Sequence, residues 1–101
     1  MTVRMAVYYK PTDDPETFEK RYIEEHLPLV RSYANVKVTK FHKLGRLLAG
    51  DQPPYSYVFV GAWDDKDGFK ADMNSDAAKK AAEHASTLGA AFDVVMLEQL
   101  A

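Results

Sequence analysis

The chain has 101 residues, room for one domain with a modest core, and a single domain over 1–101 is expected. There is no cysteine, which excludes disulfides and thiolate metal sites, and the three histidines, His26, His42 and His84, lie too far apart for a short-range metal-ligand motif. Thirteen Lys and Arg against fifteen Asp and Glu are dispersed, so no basic stripe invites nucleic acid; no run reaches the ~20 apolar residues of a membrane span, and no basic segment leads into a long apolar one, so a soluble, cytoplasmic protein is the default.

In chain order, Val3 to Tyr9 alternates, with Val3, Met5, Val7 and Tyr9 on one side and Arg4, Ala6 and Tyr8 on the other, which predicts a strand. Lys10 to Asp13 reads as a loop, and Asp14 followed by Pro15 reads as the N-cap and first residue of a helix. Phe18, Tyr22 and His26 recur every fourth residue with Ile23, Leu27 and Val30 beside them, giving one broad apolar face. Pro28 removes a backbone donor and crowds the preceding turn, so a kink or break is expected near His26.

Val36 to Leu48 alternates with polar residues on both sides, which suits an edge strand or one bordering a cavity. Gly50 to Pro54 is a loop by composition. Tyr55 to Trp63 is apolar on both sides, with Tyr55, Tyr57, Phe59, Gly61 and Trp63 sharing one of them, as in a central strand. Asp64 can cap the next helix, Asn74 to Asp76 interrupts it, and Ser75 caps an alanine-rich helix in which Ala78, Ala81, Ala82 and Ala85 share a face. Gly89 ends that helix, and Phe92 to Gln99 is the last strand.

The order β-α-β-β-α-β is the split βαβ, ferredoxin-like pattern: an α+β domain with a four-stranded antiparallel sheet and two helices on one face. The rings of Tyr55, Tyr57, Phe59 and Trp63 are then expected on the opposite face, too apolar to meet water. A second copy packed sheet to sheet, as a barrel-like homodimer, would cover them.

The stretch from Asp14 through Phe18 to Tyr22, followed by Glu25-His26-Leu27-Pro28-Leu29, resembles the EthD family of the dimeric α+β barrel superfamily. Gly61-Ala62-Trp63-Asp64-Asp65 and Asn74-Ser75-Asp76-Ala77 look like that family's third-strand ending and the break before its alanine-rich helix, so the likeness spans nearly the whole chain. It implies a homodimer with a ligand cavity. The wider superfamily includes cofactor-free quinone-forming monooxygenases, polyketide cyclases, lactone isomerases and haem-degrading enzymes, so the fold alone does not fix a reaction.

His26, on the apolar helix face before Pro28, is the first candidate for chemistry: partial burial would keep it neutral and able to act as a general base, although a packed histidine bonded to a freed carbonyl reads equally well. Tyr22 could serve His26 or a ligand oxygen, or be a core aromatic. Tyr57, Phe59 and Trp63, with Tyr8 or Tyr9 from the first strand, could line a pocket for a small hydrophobic or aromatic molecule, or simply pack an interface. His42 reads as a solvated edge residue or a second cavity histidine, and His84 as solvated. No phosphate loop, nucleophile elbow or metal cluster appears in the sequence, so no cofactor is expected; haem on His26 or His42 rests on superfamily analogy alone. Two functions stand: a cofactor-independent oxidation, isomerisation or cyclisation with His26 as base, or a non-catalytic carrier of a hydrophobic metabolite. A purely structural dimer with a filled barrel is a third possibility.

Overall fold

A computed structural model describes residues 2–45, 47 and 52–100. Four strands, β1 (Val3–Tyr9), β2 (Val36–Lys43), β3 (Tyr57–Trp63) and β4 (Phe92–Leu97), form one antiparallel sheet in the order β2-β3-β1-β4. The expected ferredoxin-like arrangement is therefore present. The two strands with apolar residues on both sides, β1 and β3, take the centre, while β2, with its alternating lysines, takes an edge as expected.

The helices begin where the capping residues place them. Asp14 accepts from the Thr17 backbone N–H at the start of α1 (Pro15–Arg21). A π-helical turn (Tyr22–His26) leads into α2 (Leu27–Arg31). Helix α3 (Lys66–Met73) is capped by Asp65, one residue later than the expected Asp64, and α4 (Asp76–Ala85) is capped by Ser75. Gly89 closes the following turn at φ +78°, in the left-handed region that favours glycine. Strand β2 ends at Lys43 and β4 at Leu97, both short of the sequence reading; the expected end of β2 at Leu48 and the loop residues Gly50 and Asp51 lie outside the described residues.

The pairing register settles which way each strand faces. Val7 pairs with Phe59, Tyr9 with Tyr57 and Phe41 with Phe59, so these side chains share one face of the sheet. The same rings belong to the core with Phe18, Tyr22, Leu27, Val30 and Ala81 from the helices. This corrects the sequence reading. Tyr57, Phe59 and Trp63 do not lie on an open sheet face awaiting a twin subunit; the chain's own helices bury them to 1%, 2% and 0% exposure. Burial of each such ring contributes roughly 1.5–3 kcal/mol, which the chain secures without a partner. Tyr55 departs from the set: it precedes β3, and its ring packs on Tyr8 with its hydroxyl donating to Asp93. The outer sheet face carries Arg4, Tyr8, Val38, Lys40, His42, Val60 and Val95, a mixed surface rather than an aromatic one. All six residues of β4 are exposed, including Val94, Val95 and Met96, so the apolar surface left over is the β4 edge. No helix of the described residues is long and apolar enough to cross a membrane.

Candidate active site beneath the alanine-rich helix

Helix α4 turns methyl groups, not long side chains, toward the sheet. Ala78, Ala81, Ala82 and Ala85 face Met5, Val7 and Phe59 across a cavity of about 290 Å³. Tyr22, His26 and Val30 close one side, and Tyr9 lines it as well. Small residues on one wall opposite large residues on the other leave the space unfilled. Of the lining residues, Phe92 and Val94 on β4 and Ala82 on α4 are exposed, so the space opens between that strand and that helix. Such a concave, mostly apolar space with a few polar groups is the usual form of a small-molecule site.

The π-helical turn positions the polar groups. The N–H of Leu27 reaches back to the carbonyl of Tyr22, one residue further than in an α-helix. The widened turn ahead of Pro28 replaces the expected kink or break. It keeps Tyr22 and His26 buried on the cavity side and turns Ile23, expected on the apolar face, out to 55% exposure.

Tyr22 stacks on Phe41 at 3.9 Å with the rings 11° apart, and its hydroxyl accepts from that of Tyr9 at 3.1 Å. Burial raises the Tyr9 hydroxyl to about pKa 12 and drives that of Tyr22 further up, so both stay protonated. The Tyr22 ring lies 4.8 Å from that of His26. His26 is 5% exposed, and burial, reinforced by the neighbouring His84, lowers its pKa to about 4, which leaves it neutral at pH 7.

His84, read from the sequence as solvated, is instead drawn into the site. Its Nδ1 lies 3.0 Å from His26 Nδ1, and its Nε2 lies 2.9 Å from Glu25 Oε1. The two imidazole rings stack 5.2 Å apart. The hydrogen bond to His84 holds the Glu25 carboxyl below its ordinary range. Arg21 bonds the same Glu25 oxygen and also donates to the Thr87 carbonyl and hydroxyl, tying the first helical segment to the end of α4. A signal for His84 was present in the sequence: it stands three residues after Ala81 and next to Ala85, on the border of the small-residue face.

The remaining candidates divide. Phe59 shares the cavity with Tyr22 and His26. Tyr57 lies behind that wall, with its hydroxyl donating to Glu19 at 2.6 Å; burial and that carboxylate raise its pKa, and the same bond lowers that of Glu19. Trp63 is fully buried and donates from Nε1 to the buried Asp72, which also accepts from the backbone and side-chain N–H groups of Asn35. Tyr8 and His42 are on the outer sheet face, on the far side of the sheet from His26, so His42 is not a second histidine of this cavity. In place of Tyr8, Tyr9 reaches it.

Comparison with known proteins identifies the family and the fold. The family model described as REDY-like protein HapK matches residues 1–100. The chain belongs to the REDY-like HapK family. Among solved structures, an ethyl tert-butyl ether d (EthD) family protein from Bacillus halodurans superposes with TM-score 0.89 at 20% identity, covering 99% of this chain and 100% of that one. A dimeric ferredoxin-like protein from Thermobifida fusca reaches 0.73 at 21% identity, covering 98% and 92%. A mutant form of SnoaB, a cofactor-independent oxygenase from Streptomyces nogalater, reaches 0.74 at 14% identity, covering 99% and 94%. The expected likeness to EthD proteins thus holds for this HapK-family chain at the level of fold. No curated protein matches it.

Proposed function

We propose that this protein binds a small hydrophobic or aromatic molecule beneath α4 and transforms it without a cofactor, in an oxidation, isomerisation or cyclisation for which His26 is the general base. The observation that carries the reading is a neutral, buried histidine on the wall of an apolar cavity, bonded to another side chain rather than to backbone alone. A base held neutral near pH 7 accepts a proton from an acidified C–H or O–H of the substrate. Tyr22, paired with Tyr9, supplies a hydroxyl beside it to hold a ligand oxygen. Phe59 and the α4 methyls provide the apolar walls. The fold shared with a cofactor-independent oxygenase is compatible with this chemistry.

A homodimer is part of the proposal. The exposed apolar residues of β4 sit at the cavity mouth, and a relative of the same fold is described as dimeric. A second copy on that edge would shelter both.

The test uses aromatic hydroxyketones and dihydroxynaphthalenes incubated in air with wild-type and His26→Ala protein, with products followed by absorbance and mass spectrometry. Wild-type protein should form product, and the variant should lose roughly 10²–10⁴-fold in rate. Full turnover by His26→Ala would remove the base. The alternative, a carrier, would bind these compounds and release them unchanged.

A further inference from the structure

The chain Glu25–His84–His26 runs from a carboxylate exposed at the surface to the cavity wall, and its two hydrogen bonds impose an order on the protons. An ionised carboxylate only accepts, so the bond at Glu25 requires His84 Nε2 to carry hydrogen. Arg21 Nε lies 3.3 Å from the same carboxylate oxygen. A neutral His84 with hydrogen on Nε2 offers a lone pair at Nδ1. The 3.0 Å contact is then a hydrogen bond only if His26 Nδ1 carries the hydrogen. That leaves His26 Nε2 as the ring's bare nitrogen; the hydrogen bond found for this ring is the one at Nδ1, and since no buried side-chain nitrogen among the described residues lacks a partner, Nε2 keeps some accessible surface.

We propose that Glu25 and His84 are positioning residues that fix His26 as its Nδ1–H tautomer and so present the Nε2 lone pair to the cavity ligand. The arrangement follows the logic of a carboxylate–histidine pair that orients a base, with a second imidazole inserted between the carboxylate and the base. The inserted ring adds a step. When Nε2 takes a proton from the ligand, the Nδ1 proton crosses to His84 Nδ1. His84 becomes the imidazolium, held against the Glu25 carboxylate, and His26 is neutral again with hydrogen on Nε2. The ligand keeps the electron pair of the broken bond, and one positive charge has moved out of the apolar cavity to a ring bonded to a carboxylate. Return of the proton reverses each transfer. The charge is thereby kept out of the surroundings that hold His26 neutral.

This inference rests on His26 as the base, but its test is separate. Proton–nitrogen correlation spectra of the histidine side chains report tautomers directly in the free protein. In the wild type, His26 should show hydrogen on Nδ1 and a bare Nε2, and His84 should show hydrogen on Nε2. In His84→Ala the Nδ1 acceptor is gone, and His26 should revert to the Nε2–H tautomer favoured by free imidazole. Glu25→Gln should leave His26 in mixed tautomers. A wild-type His26 with hydrogen on Nε2 would overturn the relay while leaving the base open to the turnover comparison. Tautomers as stated, with turnover intact in His26→Ala, would keep the positioning of His26 by His84 and remove the base, and with it the transfer of a ligand proton. The wild-type spectrum decides the relay even if a variant fails to fold.

Discussion

Mild acid should weaken this fold through one residue, and the size of the effect follows from the burial of His26. Its pKa is about 4 in the folded chain against 6.5 for the free side chain. Between these values the unfolded chain binds more protons than the folded one, so stability rises with pH across the interval. The contribution is complete above 6.5 and is lost as the pH falls toward 4. At about pH 5 the linkage relation gives a loss of roughly 2 kcal/mol relative to neutral pH. Glu25 and Glu19 are held low and lose stability in the same direction, but only as their own ordinary range near 4.5 is passed, so the interval from neutral to about pH 5 belongs mainly to His26. Urea unfolding followed by Trp63 fluorescence measures it: with a slope of about 1–3 kcal/mol per molar, the midpoint should fall by roughly 1 M from pH 7 to pH 5. His26→Phe keeps a flat ring beside Tyr22 and cannot titrate, so its midpoint should barely move over the same range. A wild-type midpoint independent of pH, or a His26→Phe slope equal to the wild type's, would refute the reasoning.

Other substitutions probe the packing that shapes the site. A methyl at Gly61 would sit 2.9 Å from the Trp63 ring and 3.3 Å from that of Phe59, so Gly61→Ala should cost about 1–3 kcal/mol in denaturant unfolding. Trp63→Phe removes the Nε1 donor to the buried Asp72 carboxylate, whose oxygen keeps only its bond from the Asn35 backbone N–H, and the lost bond to a charged group should cost about 2 kcal/mol in urea unfolding followed by circular dichroism. Ala81→Leu fills the cavity from α4; thermal unfolding should occur within a few degrees of wild type while binding of aromatic compounds is lost, and unchanged binding would show that the ligand lies elsewhere.

The alternation of β1 and β3, the caps Asp14 and Ser75 and the glycine at 89 were legible because each acts over a few residues, and together they gave the ferredoxin-like order. The sheet's orientation was not. Period-two alternation says which rings share a face but not which face meets the helices, and Tyr57, Phe59 and Trp63 were assigned to the wrong one. The cavity was half legible. The alanine face of α4 was visible as a pattern, but that its methyls would leave room against Val7 and Phe59 depends on a long-range match of volumes. His26 and Tyr22 stood out by their spacing before Pro28. His84 did not, because its role depends on Glu25, 59 residues away in sequence and 2.9 Å away in space.

The most direct test is titration of isotope-labelled protein with 2-naphthol as the probe, followed by backbone and side-chain chemical shifts. Saturable shifts should centre on Tyr22, His26, Phe59 and Ala81, the walls beneath α4. Shifts confined to His42, Val95 and the outer sheet face, or none at millimolar probe, would contradict the account.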